Sequence, residues 1–169
     1  YAIKTLYAKL DSPKTVIFVP TRKLATELAM TLRNTHGLPV TLYRETDTGD
    51  IIDTKSLIDA KILVTTLQTF ATKVNVPMAE YGLVYVEESD QLLAQFALGG
   101  GGYRSSHVDD KQARKGYAKI REAVEDSGVV WFVDATMSKV TQTVVESMYE
   151  GHVRIVNNKQ VSNKAPVVM

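Results

Sequence analysis

The stretch LVYVEESDQ, residues 83–91, decides how this chain is read. Leu83, Val84, Tyr85 and Val86 show no polar alternation, and a strand apolar on both sides is one covered on both faces. It runs directly into Glu87, Glu88 and Asp90. Carboxylates at the end of such a strand either line a solvated turn or hold something cationic. Both readings put the strand's end at the surface and its body in a core.

Working outward, the same pattern recurs. Apolar runs stand at 15–19, 40–43, 62–64, 129–133 and 153–156. Between them lie stripes at helical spacing: Ile3, Leu6, Tyr7 and Leu10; Leu24, Leu28 and Leu32; Ala113, Tyr117, Ile120 and Val124; Val140, Val144 and Met148. Strands alternating with helices imply right-handed crossovers and a doubly wound α/β fold with a mainly parallel sheet. The chain reads as one domain over 1–158 with an exit linker over 159–169, where Pro166 discourages helix. Stretches 45–55 and 99–110 read as loops. The four glycines Gly99 to Gly102 read as a mobile linker rather than a phosphate cradle, since no Lys-Ser or Lys-Thr follows them.

Composition sets the outer limits. The 169 residues are 44% hydrophobic and 23% charged, the balance of an ordinary globular domain with a substantial core. A formal net charge of +1 does not exclude a local basic face. With no cysteine, disulfides and thiolate metal sites are excluded. No apolar run is long enough to span a membrane, and the Tyr1-Ala2-Ile3-Lys4 start is not a signal peptide, so an intracellular protein is expected.

In open α/β sheets ligands bind beyond the carboxyl ends of the strands. The residues there are PTRKLATEL after the first strand, VTTLQTF after the third, EESDQ after the fourth and DATMS after the fifth. Taken in order, these clusters resemble the first motor domain of superfamily 2 helicases and translocases. Pro20-Thr21-Arg22-Lys23-Leu24-Ala25 is similar to motif Ia, Val64-Thr65-Thr66 to motif Ib, Glu87-Glu88-Ser89-Asp90 to the Asp-Glu-Ala-Asp box, and Asp134-Ala135-Thr136 to the Ser-Ala-Thr motif III. A narrower likeness, carried by VDATMS and VEESDQLLAQF, is to the origin-of-replication-binding helicases of large DNA viruses and phages.

That resemblance implies a RecA-like three-layer fold and the use of ATP and Mg²⁺ in the intact protein. It also implies contact with nucleic acid, expected to be DNA, and with a second RecA-like domain of the same polypeptide. Glu87 would hold Mg²⁺ through water, Glu88 would polarise the attacking water, and Asp90 would couple this site to motif III and the second domain. Thr21, Arg22, Lys23, Thr65 and Thr66 would contact strand phosphates, and Asp134 and Thr136 would link hydrolysis to strand movement. The phosphate-binding loop of such domains would stand just before Tyr1, so no nucleotide is expected on this chain alone. Two positions depart from the family pattern: Glu87 is one methylene longer than the usual Asp, and Asp134 replaces a Ser.

Plainer explanations stand beside these. The carboxylates alone fit an acidic turn, and PTRK alone fits a capped helix start with solvated charges. A degenerate domain that grips nucleic acid or protein without hydrolysing ATP keeps every motif position. A receiver-like domain also clusters carboxylates at strand ends, but the third strand ends here in Thr65 rather than in an isolated Asp. Trp131 reads as core. Lys111, Arg114, Lys115, Lys119 and Arg121 read as a solvated helix face, and His36, His107 and His152 lack metal-ligand spacing.

Overall fold

The structure is a computed structural model and describes residues 2–43, 54–74, 76–96 and 110–149. The strand read at 153–156 and the glycine run lie outside these residues, as do most of the two loops.

Five strands form one all-parallel sheet: β1 (Thr15–Val19), β2 (Val40–Leu42), β3 (Ile62–Thr66), β4 (Leu83–Glu87) and β5 (Val130–Val133), in the order β2-β3-β1-β4-β5. The registers pair Thr15 with Ile62 on one side of β1 and with Leu83 on the other, and Glu87 with Val133. Continuous apolarity is what both-face coverage requires, and the two cores bear this out. On one face, Ile17, Val19, Ile62, Val64, Leu83 and Tyr85 pack under helices α1 (Ala2–Lys9) and α2 (Arg22–Asn34). On the other, Val16, Phe18, Leu63, Val84 and Val86 meet α3 (Thr54–Ile58), α4 (Leu67–Thr69), α5 (Ser89–Phe96), α6 (Asp110–Asp126) and α7 (Lys139–Met148). Each large side chain sealed this way contributes about 1.5–3 kcal/mol. Phe70 anchors the second core through edge-on contacts with Phe18 and Tyr81, centroids 5.2 and 5.9 Å away.

Local chemistry sets the element ends. The Thr21 hydroxyl accepts the Leu24 N–H (3.2 Å) and caps α2. α2 stops where Gly37 takes φ +63, with the Gly37 and Leu38 amides turned back to the carbonyls of Arg33 and Leu32. Gly128 closes the turn into β5; a Cβ there would stand 2.8 Å from the Gly82 carbonyl oxygen, and one on Gly82 would stand 2.7 Å from Pro13 Cβ.

Three expectations change. Lys119, read as solvated, is buried: its ammonium bonds Glu122 (2.6 Å) and the Val76 carbonyl (3.3 Å), while Glu122 accepts the Met78 N–H (2.8 Å). Trp131 is 36% exposed, because β5 is an edge strand and lies past the reach of α1 and α2. Short elements without a helical stripe escaped notice: α3, α4 with the π-helical turn Phe70–Val74, the 3-10 turn Met78–Glu80, and α5, which starts within the acidic stretch itself. Among the described residues no helix is long and apolar enough to cross a membrane.

Candidate functional site

Because every strand is parallel, the residues following β1, β3, β4 and β5 emerge along one edge of the sheet. β1 alone sends its helix, α2, to the α1 face, whereas the helices after β3 and β4 pack on the opposite face. Neighbouring strands whose connections part to opposite faces leave a crevice at their carboxyl ends, the usual ligand position in such sheets. The crevice flanking β1 lies between Thr65-Thr66 on one side and Glu87-Glu88 on the other, with Thr21-Arg22-Lys23 at β1 itself.

Glu88 forms the turn from β4 into α5. It has φ +51, a left-handed conformation that costs a non-glycine residue roughly 1–2 kcal/mol. Its side chain is exposed, and its carbonyl accepts the Leu92 N–H (2.9 Å), so the strained residue also starts the helix. Glu87 is half-buried. Burial lifts its carboxyl above the usual range, the charges of Glu88 and Asp134 add to the lift, and a hydrogen bond from Tyr85 partly offsets it. Ser89 is sealed, and its hydroxyl finds no hydrogen-bond partner among the described residues.

Asp90 and Asp134 exchange caps. Asp134 Oδ2 accepts the Asp90 N–H (3.0 Å), capping α5, and its Oδ1 accepts the Thr136 N–H (3.0 Å). Asp90 accepts the Ser138 N–H at 2.9 and 3.1 Å, and the Ser138 hydroxyl lies 3.2 Å from Asp90 Oδ1. Ser138 in turn caps α7 by accepting the Thr141 N–H (3.1 Å). The ends of β4 and β5 are thereby tied by charge-assisted hydrogen bonds. Spacing along the sequence gives no sign of Ser138, which joins the network only through the fold.

The remaining expected residues divide. Thr21, Arg22 and Lys23 are exposed, Lys23 with 87% of its side chain free and its ammonium 3.9 Å from Glu27. Thr66 is partly exposed, capping α4 and donating to Thr69 Oγ1 (2.9 Å). Thr65 is 1% exposed and donates to the Thr66 carbonyl (3.3 Å), so as folded its hydroxyl offers nothing to a ligand. Thr136 is exposed and meets the network through its backbone.

The donor set suits a hard cation that brings other ligands with it. Glu87 and Glu88 supply oxygen only, and the repulsion that lifts Glu87 is relieved by positive charge. Among the described residues no three His, Cys, Asp or Glu side chains gather into a cage. That fits Mg²⁺, which is bound by one or two carboxylates plus water and substrate phosphates.

No protein-family profile matches the chain, and no curated protein matches it. Among solved structures it is similar to a hypothetical ATP-dependent RNA helicase from Sulfolobus tokodaii, with TM-score 0.57 and 16% identity, over 90% of this chain and 42% of that one. At that identity the likeness speaks for the fold alone. The five-strand all-parallel sheet with its flanking helices is the RecA-like architecture of a helicase domain.

Proposed function

We propose that this chain is part of a nucleic-acid-dependent ATPase motor of the helicase type. The observation that carries the reading is the Glu88 elbow: a strained, exposed carboxylate between a half-buried Glu87 and an Asp90 tied to the next strand's end. Strain of this kind persists where the surrounding fold enforces it, and it concentrates at functional sites. The motif likeness and the helicase-like fold support the same reading.

Bound ATP with Mg²⁺ supplies the phosphoanhydride to be cleaved. Glu87 then holds the cation's water, and Glu88 accepts a hydrogen bond from the attacking water and orients it. Asp90 carries any shift at this edge to Ser138 and α7 through its capping bonds. Thr21, Arg22, Lys23 and Thr66 face strand phosphates, a sequence-independent contact whose affinity falls with salt. A second RecA-like domain completes the nucleotide site. On the narrower sequence likeness alone, the nucleic acid is DNA and the process replication.

The test is hydrolysis stimulated by single-stranded nucleic acid in the protein extended upstream through its phosphate loop, with Glu88→Gln alongside. Turnover that Glu88→Gln abolishes supports the motor. Nucleic-acid binding with no turnover in any form supports the second reading, a non-hydrolysing binding module, which the longer Glu87 favours.

A further inference from the structure

Tyr85 and Glu87 are two residues apart on β4, so their side chains leave the sheet on the same face, the one covered by α1 and α2. Tyr85 is 4% exposed, and by register its strand neighbours are Ile17 and Trp131, neither offering a polar side-chain oxygen. A phenol sealed among apolar neighbours needs a partner for its hydroxyl. Glu87, at the last strand position on that face, provides one: the Tyr85 O–H donates to the Glu87 carboxylate. Glu87 needs that donor, because Glu88 and Asp134 surround it with like charge.

We propose that Tyr85 is the positioning residue for Glu87, and that Tyr85 and the longer Glu87 side chain form a matched pair. An Asp at position 87 would end one methylene short of the buried phenol. The departure from the family's Asp is thus tied to the presence of a tyrosine two residues before it. The proposal rests on the reading in which Glu87 holds a cation through water: the phenol fixes the carboxylate's direction, and the free carboxylate oxygen faces the crevice. Burial, with the Glu87 charge and hydrogen bond added, pushes the Tyr85 phenol far above its ordinary range, so the hydroxyl keeps its proton at working pH.

Two measurements on the chain and its variants Tyr85→Phe, Glu87→Asp and Glu87→Gln test this. In proton NMR, a slowly exchanging hydroxyl signal is expected in the parent, absent from Tyr85→Phe and lost in Glu87→Asp. A signal that survives Glu87→Asp, or is missing from the parent, overturns the pairing. Mn²⁺ serves as the cation probe. Tyr85→Phe is expected to weaken its binding about tenfold, the low end for losing a group behind a metal's ligand, and to weaken it no further in a Glu87→Asp background. Mn²⁺ binding lost in Glu87→Gln yet unchanged in Tyr85→Phe overturns the positioning role. Binding that Glu87→Gln leaves unchanged, or none in the parent, overturns the cation reading instead, and the hydroxyl signal still decides the contact.

Discussion

The two edges of one sheet are built on opposite terms. At the amino edge, backbones touch: Pro13, Gly82 and Gly128 stack where no Cβ fits between Gly128 and Gly82, and the Gly128 N–H donates to the Tyr81 carbonyl (3.1 Å). Charges there are paired, Lys14 with Glu80 (3.0 Å) and over the Tyr81 ring (5.3 Å), Lys119 with Glu122. Its one loose end is the buried Tyr81 hydroxyl, whose pKa burial and then the Glu80 charge push up to about 12. At the carboxyl edge a glutamate sits in left-handed backbone, a second carboxylate is lifted by burial and its neighbours, and a buried serine hydroxyl goes unpartnered among the described residues. One edge is arranged for stability and the other tolerates cost, which is the signature of a site under functional constraint.

Substitutions can break that contrast. The largest effect is expected at the amino edge: Gly128→Ala drives a methyl against the Gly82 backbone and should cost about 3 kcal/mol in denaturant unfolding. Asp90→Ala, on the other side, removes the acceptor for Ser138 and should cost about 2 kcal/mol. Its effect should appear in hydrogen exchange as faster opening of the first turns of α5 and α7, with the amino edge unchanged. Glu88→Gly should go the other way, raising stability by about 1 kcal/mol by relieving φ +51. If it also abolishes turnover in the extended protein, stability and function are opposed at a single residue.

The smallest effect is a matter of pH. Burial works against the Glu122 carboxylate, but the Lys119 hydrogen bond, the Met78 N–H and the Lys119 charge together hold its pKa below the usual range. A depressed carboxylate stabilises the fold above its unfolded pKa, and that contribution disappears as pH falls through the folded one. Glu122→Gln should therefore cost under about 1 kcal/mol at neutral pH, discounted because 31% of the side chain is exposed. Thermal melts of parent and variant should converge once pH drops below the carboxylate range. A gap that persists in acid would mean that packing, and not charge, holds this edge.

The sequence was most legible where pattern is repeated. Continuous apolar runs located all five described strands within a residue or two, since a both-face-covered strand leaves no other composition. The long helices announced themselves through stripes, but α5 did not, because its start is shared with the acidic stretch that drew attention for other reasons. The site was half legible. Residues at strand ends could be placed along one edge from the parallel topology, whereas Ser138 and Tyr85 act through contacts that only the fold creates. The burial of Thr65 and Lys119 was hidden for the same reason: polarity does not reveal which face a residue occupies when the fold supplies it a partner.

The sheet order has a consequence for how the chain gets to its native state. β1 is central, yet the strands that flank it come from far along the chain, with Thr15 meeting Ile62 on one side and Leu83 on the other. No pair of neighbouring strands can close as a hairpin, since every pairing is parallel and needs a crossover. Loop-closure entropy must be met before any β pairing is rewarded, which places this domain among slow folders. During synthesis β1 emerges early and waits with both edges open, so in refolding it is the segment most in need of dilution or of a chaperone.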